Sequence, residues 1–341
     1  MSLHVYLLCH NEEVLLPHAI EHYRRRVPGV TFTIIDNESD DRSVAIAREL
    51  GCTVQALSTG GKLDDIVLRD LKNDVWKSIT NGWVIVADMD EWLCITAEDL
   101  AREERSGTTV LHTFGLNVFG DSASTTLDDI DLHALNTGQP HPPESKSICF
   151  RRPQITAINY NPGAHKCAPV GDVRWSKRTY VLKHMAWLGR AFIVEKYQKR
   201  YARGKEQQVR GLGTHYTDDT AKVSVQYEQE QRAARPFSEA SRRTPPSWPP
   251  TLVRVVKRLR RVPAGVQRRL RRLIGYRCAT REREERATMC HEIACAACGK
   301  PTWEGCGEHI EYALKRVPLD QRCTCPRLPI TIQPKPATPN S

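Results

Sequence analysis

Three acidic residues follow a short apolar segment, in a spacing suited to binding a metal ion. Residues 83–87 are uninterrupted apolar and include three β-branched side chains, which is typical of a strand buried on both faces of a parallel sheet. Asp88, Asp90 and Glu91 follow directly. In extended chain, residues two apart point the same way, so Asp88 and Asp90 are predicted to face one hard cation, Mg²⁺ or Mn²⁺. The alternative is a solvated turn, the usual setting of an isolated Asp-x-Asp.

Short apolar segments alternate with helix-forming segments in the first part of the chain. Strands are predicted at residues 3–8, 31–35, 53–57 and 83–88, and helices at residues 15–23, 44–50 and 62–79. This order is typical of a parallel, doubly wound α/β sheet. The carboxyl ends of such strands meet at one edge, where ligands bind. Asp36, which ends the second strand, is therefore expected near Asp88.

Three motifs occur in a characteristic order along these elements. They are Asn11-Glu12 near the start, Asp-Asn-x-Ser-x-Asp from Asp36 after the second strand, and Asp-x-Asp-Glu from Asp88 after the fourth. The combination resembles the GT-A glycosyltransferases, and among them the family-2-like branch found in bacterial polysaccharide loci. The resemblance covers residues 1–215 and implies an α/β fold of the GT-A type with a mostly parallel sheet.

The resemblance also implies an activity and assigns residues to it. The activity would be a metal-dependent transfer of a sugar from a nucleotide-diphosphate donor to a glycan or lipid-linked acceptor. Asp36, Asn37 and Asp88 would bind the nucleotide sugar, and Asp88 and Asp90 would hold Mn²⁺ or Mg²⁺. His184 matches the family's closing histidine, which completes the metal site or contacts the diphosphate. A structural role is the alternative for His184.

The acceptor side is less defined by the sequence. An inverting transfer requires a carboxylate base for the acceptor hydroxyl proton. Glu91 is the nearest candidate for this catalytic base, and the alternative is that it caps or braces the strand end. Residues 116–121 resemble the family's acceptor-side loop, but Asp121 stands where the family usually has serine. His165 is a second candidate for the metal-site histidine.

Composition limits the class of protein. The 341 residues are 40% hydrophobic and 26% charged, as in an ordinary soluble chain of about two domains. No apolar run reaches the length of a membrane span. Residues 3–9 are apolar but too short for a secretory signal. A cytoplasmic protein is therefore expected.

Positive charge is concentrated late in the chain. Residues 251–277 hold ten basic residues and no acid, and they follow a proline-rich segment at residues 236–250. Two basic amphipathic helices of this kind predict peripheral binding to an anionic membrane surface, where each cation contributes about 1 kcal/mol. Nucleic-acid binding through this segment and the cysteine-rich unit is the alternative function. The balanced charge of residues 1–225 argues against nucleic acid as a partner.

Six of the twelve cysteines are clustered near the end of the chain. Cys295, Cys298, Cys323 and Cys325 have the paired spacing of a structural tetrahedral Zn²⁺ site, while neighbouring cysteines and histidines leave the ligand set open. The predicted domains are a glycosyltransferase domain (1–225), a linker with basic helices (226–288), a cysteine-rich zinc unit (289–326) and a disordered tail (327–341).

Overall fold

The computed structural model of the protein describes residues 2–242, 291–295, 298–304, 314 and 317–323. The chain divides into two units, Met1–Pro249 and Pro250–Ser341. The basic segment at residues 251–277, on which the membrane and nucleic-acid interpretations depend, lies outside the described residues. The predicted tail at residues 327–341 also lies outside them.

The described elements follow the predicted alternation and then add a strand-rich second half. The strands are β1 (Leu3–Cys9), β2 (Thr31–Asp36), β3 (Thr53–Ala56), β4 (Gly82–Asp88), β5 (Glu91–Leu93), β6 (Val110–Phe119), β7 (Thr137–Pro140), β8 (Cys149–Arg152), β9 (Ile155–Ala157), β10 (Val170–Gly171), β11 (Trp175–Trp187), β12 (Arg235–Pro236), β13 (His291–Ala294) and β14 (Pro301–Glu304). The helices are α1 (Leu16–Arg26), α2 (Ser43–Glu49), α3 (Asp65–Asp74), α4 (Ala97–Arg105), α5 (Arg190–Val209) and α6 (Thr220–Ala233).

A ten-stranded sheet organises the first unit. Its main path runs in the order β12-β7-β6-β8-β4-β1-β2-β3, and β11 pairs with both β6 and β5. β1 is parallel to β2 and β4, β2 is parallel to β3, and β11 is parallel to β6. β8 is antiparallel to β4 and to β6, so those two strands also share a direction. The predicted α/β class with a mostly parallel central sheet is confirmed.

The central strand β4 is buried on both faces, as its apolar sequence predicts. All residues from Trp83 to Ala87 have no exposed surface. Trp83, Ile85 and Ala87 pack into one core layer, whereas Val84 and Val86 pack into the other. Because successive side chains of a strand point to opposite faces, a continuous apolar run is what two covered faces require.

Local capping fixes where the flanking helices begin. The carboxylate of Asp64 accepts hydrogen bonds from the backbone N–H groups of Ile66 and Val67, which starts α3 at Asp65 rather than at residue 62. Thr96 and Asp99 cap α4 reciprocally, each side chain accepting from the backbone N–H of the other. These bonds satisfy N–H groups that a helix leaves without intrahelical partners.

Residues 226–242 belong to the first unit and not to a linker. α6 continues to Ala233, and β12 pairs with β7. Glu239 forms ion pairs with Arg26 and with the fully buried Lys183. The sequence places this stretch in a linker because a proline-rich segment without periodicity begins at Pro236, but ion pairs with distant residues hold it on the sheet.

Candidate active site

A cavity of about 470 Å³ lies at the carboxyl ends of β1 and β4. The strand order reverses at this point, because β1 has β2 and β3 on one side and β4 on the other. Open α/β sheets bind ligands in the crevice at such a switch point. The lining includes residues that follow β1, residues that follow β4 and one face of α5, among them His10, Asn11, Glu12, Asp88, Asp90, Glu91, Lys196 and Arg200.

Asp88 and Asp90 are separated by a tight turn. The chain turns at Met89 and Asp90, and Glu91 begins β5. The extended geometry assumed from the sequence is therefore wrong. Met89 occupies the turn and is buried in the core. The two aspartates still line the same cavity, but they contact different cations.

Asp88 is held at the end of β4 by a lysine from α3. The ammonium of Lys72 lies 2.8 Å from the Asp88 carboxylate, and the Lys72 side chain is only 4% exposed. Burial by itself would raise the pKa of Asp88, but Lys72 and Lys146 more than offset it and lower the pKa. Asp88 is therefore an ionised carboxylate at the cavity wall.

Asp90 is almost completely buried and surrounded by positive groups. Its Oδ2 lies 3.0 Å from the Lys196 ammonium, 3.3 Å from the Arg200 guanidinium and 3.6 Å from Nε2 of His184. Burial would raise the pKa of Asp90, but Lys196, Arg200 and His184 lower it well below its usual range. The carboxylate is buried in charged form because it is paired.

His184 on β11 completes this group. Its Nδ1 lies 2.8 Å from the side-chain oxygen of Asn117, which leaves Nε2 directed at Asp90. Burial would lower the pKa of His184, but Glu144 and Asp90 raise it. Two ionised carboxylates and an imidazole nitrogen are donors that suit Mn²⁺ or Mg²⁺. A metal ion bound to Nε2 would have to displace a proton.

Glu91 braces the turn. Its Oε2 accepts a hydrogen bond of 3.0 Å from the backbone N–H of Asp88, and its Oε1 pairs with the Lys146 ammonium. Lys146 also lies 3.0 Å from Glu144. Burial raises the pKa of Glu91 in spite of Lys146. Both oxygens are engaged, which corresponds to the bracing alternative, while a catalytic role for Glu91 stays a prediction.

The predicted nucleoside-binding residues Asp36 and Asn37 lie at the end of β2. Asn37 is 5% exposed and lines the cavity, and its side-chain N–H donates to Thr59 Oγ1 at 2.9 Å. Arg203 of α5 donates to the side-chain oxygen of Asn37 at 2.8 Å. Asp36 is 9% exposed and is not among the described residues that line the cavity.

The two weaker sequence candidates have different positions. His165 lines the cavity, and its Nδ1 lies 2.8 Å from the carbonyl oxygen of Pro143. Asp121 is exposed and is absent from the described lining.

Sequence reasoning missed most of the cations around the acids. Lys72 and Lys146 are both buried, and neither lies near Asp88 in the sequence. A buried acidic cluster requires positive partners, so their existence is predictable although their identity is not. For α5 a signal exists, because Lys196, Arg200 and Arg203 are spaced to share one helical face.

In the second unit, three of the four predicted zinc ligands converge. The sulfur atoms of Cys295, Cys298 and Cys323 all lie within 4.8 Å of one another. A backbone hydrogen bond from Gly299 N to Cys295 O closes the turn between β13 and β14, and Cys323 N donates to Pro301 O. Cys325 lies outside the described residues.

Part of the chain matches a known family model. Residues 289–334 match a model described as "Domain of unknown function (DUF8730)", which covers the predicted cysteine-rich unit. No curated protein matches the chain. In the described part of the chain, no helix is both long and apolar enough to cross a membrane.

Solved structures give partial likenesses. TarS of S. aureus is 19% identical, covering 36% of this chain and 24% of that chain, with a TM-score of 0.28. Glucosyl-3-phosphoglycerate synthase from Mycobacterium tuberculosis, in complex with Mn²⁺, UDP and glucosyl-3-phosphoglycerate, is 18% identical, covering 33% and 44%, with a TM-score of 0.25. The chain spans less than half the length of these proteins. At TM-scores of this size, nothing is transferred from them to this chain.

Proposed function

We propose that the first unit is a glycosyltransferase that uses a nucleotide-diphosphate sugar and a divalent metal ion. The observation that carries the proposal is the position of Asp88 and Asp90. Both carboxylates are ionised, line one cavity and follow the strand next to β1, at the switch point. A cavity of about 470 Å³ is within the usual size range of small-molecule sites.

The proposal gives each part of the cavity a task. Asn37, together with Asp36, would hold the nucleoside at the end of β2. Asp88, Asp90 and His184 would hold Mn²⁺ or Mg²⁺, which supplies Lewis-acid stabilisation of the charge that grows on the departing diphosphate. The acceptor, a glycan or lipid-linked sugar, would enter opposite the donor, with Glu91 as the predicted base.

The test is a change of charge without a change of shape. Asp90→Asn removes one metal-binding charge, so donor hydrolysis or sugar transfer is expected to fall by at least about a hundredfold, which is about 2.7 kcal/mol of transition-state stabilisation. Activity is measured against a panel of nucleotide sugars with Mn²⁺ and with EDTA. Asp74→Asn is the matched control, because Asp74 is 66% exposed in an ion pair with Lys77. Full activity of Asp90→Asn, or of the wild type in EDTA, contradicts the metal role.

We also propose that the second unit binds zinc through Cys295, Cys298, Cys323 and Cys325. The convergence of three sulfur atoms supports the proposal, and thiolates are preferred zinc ligands. The reduced full chain is expected to contain one tightly bound Zn²⁺, and Cys295→Ser with Cys298→Ser is expected to lose it. Metal analysis of both proteins checks this, and a freshly reduced wild type without zinc would refute it.

A further inference from the structure

One face of α5 carries a row of cations across the cavity. Lys196, Arg200 and Arg203 are four and three residues apart, the spacing that brings side chains onto one side of a helix. All three line the cavity. The row spans about 10 Å along the helix, at about 1.5 Å per residue.

The first two cations are fixed in position by partners on several elements. Lys196 lies 3.1 Å from Glu12 and 3.0 Å from Asp90. Arg200 donates from Nη1 to the Tyr216 hydroxyl at 2.6 Å, while its Nη2 approaches Asp90. The Lys196 side chain is 10% exposed and that of Arg200 is 28% exposed. Each cation is therefore oriented before any ligand arrives.

Arg203 connects the same face to the other end of the cavity. It donates to the side-chain oxygen of Asn37 at 2.8 Å and to the carbonyl oxygen of Gly61 at 3.1 Å. α5 thus extends from the predicted metal ligand Asp90 to the predicted nucleoside contact Asn37. In a bound nucleotide-diphosphate sugar, the diphosphate is the part that would lie between Asn37 and the metal site at Asp90.

The charge balance around Lys196 and Arg200 determines which ligands they can bind. Their two positive charges are balanced by Asp90 and Glu12, and His184 also faces Asp90. A divalent cation bound to Asp88 and Asp90 would add about two positive charges to the balanced group formed by Lys196, Arg200, Asp90 and Glu12. An anion with several charges, placed between α5 and the acids, restores the balance.

We propose that Lys196 and Arg200 form the diphosphate subsite, binding the oxygens of the donor's two phosphates from the α5 side. This inference depends on the proposed function, since it concerns the donor of the same site. Lys196 acts as a compact ammonium, and Arg200 supplies a planar fork suited to phosphate oxygens. The subsite selects nucleoside diphosphates over monophosphates, because a monophosphate places no second phosphate between the cations.

The experiment measures binding and not turnover. UDP, GDP, ADP and CDP, each with the matching monophosphate, are titrated by calorimetry into the full chain with MnCl₂. The wild type is expected to bind one diphosphate at least about tenfold more tightly than its monophosphate, as charge-assisted bonds imply. Lys196→Gln and Arg200→Gln are expected to remove most of that ratio. Lys205→Gln is the control, since Lys205 is exposed on the same helix and outside the described lining.

The outcomes separate this inference from the proposed function. A wild type that binds none of the diphosphates overturns both. A wild type that binds one, with an unchanged ratio in Lys196→Gln and Arg200→Gln, overturns the subsite and leaves the proposed function standing. Arg200→Lys, which keeps the charge but not the fork, is expected to retain part of the ratio. If a glutamine variant does not fold, as seen by circular dichroism, an unchanged ratio in Arg200→Lys overturns the fork contact.

Discussion

At the scale of single residues, buried charge is the main feature of this protein. Asp90, Glu91 and Lys183 are each about 1% exposed, and each has an oppositely charged partner. An unpaired charge at such a position would cost several kcal/mol. The partners come from distant parts of the chain, so these charges require the complete fold of the first unit.

His22 is a buried residue of the opposite kind, because it is held neutral. Its Nε2 lies 2.9 Å from the carbonyl oxygen of Leu93, and burial lowers the pKa of His22 to about 3. In the unfolded chain the pKa is 6.5, so stability is lost as pH falls below that value. At pH 5 the loss is about 2 kcal/mol relative to pH 7.

The measurement for His22 is urea unfolding at pH 7 and pH 5. His22→Gln keeps a donor for Leu93 and removes the titrating group, so its stability is expected to fall by about 2 kcal/mol less than that of the wild type. His112, which is exposed, provides a control as His112→Gln. Equal losses in wild type and His22→Gln would show that His22 is not the group responsible.

At the scale of elements, the turn at Pro142–Glu144 packs directly on β6. A Cβ at Gly115 would collide with the backbone of Glu144 and Ser145. Only glycine permits this approach, because backbone atoms, unlike flexible side chains, cannot move aside. The contact places Glu144 and Lys146 beside Glu91, and so it positions the network that braces the turn after β4.

Gly115→Ala is therefore expected to destabilise the first unit by about 1–3 kcal/mol, the usual cost of overpacking. Gly204→Ala is the opposite control. A Cβ at Gly204 meets only ordinary contacts, and alanine in place of glycine stabilises a helix by about 1 kcal/mol. Thermal unfolding of both variants checks the prediction, and a Gly115→Ala protein as stable as wild type contradicts the steric account.

The sequence predicted the first strands and helices well, but it did not predict which residues from other elements contact the acids of the site. The reason is physical. Each element from β1 to β4 and from α1 to α3 has a hydrophobic pattern that is visible in its own segment of the sequence. The position of Lys72 beside Asp88 depends on how α3 packs on the sheet. The turn after β4 was only the alternative to an extended pair, because Asp-x-Asp has no glycine or proline to mark a turn, and the burial of Met89 in the core is not visible in the sequence.

At the scale of the molecule, the first unit extends beyond the predicted limit at residue 225. A cut there divides α6 and removes Phe237, which packs on the core, and Glu239, which pairs with Lys183. A fragment of residues 1–249 is expected to unfold cooperatively, whereas a fragment of residues 1–225 is expected to lose stability or fail to fold. Circular dichroism melts of the two fragments compare them directly. Equal melting temperatures would place the boundary at 225 after all.

The attachments of α5 have a mechanical consequence. The ion pair between Lys196 and Glu12 connects the helix to the segment after β1. Hydrogen bonds from Arg203 connect it to Asn37 after β2 and to the loop that follows β3. The helix is therefore connected to the ends of three strands at once. A tilt of α5 that breaks the Lys196–Glu12 ion pair would also disturb the hydrogen bonds of Arg203. A movement of α5 would therefore change the contacts on both sides of the crevice at once.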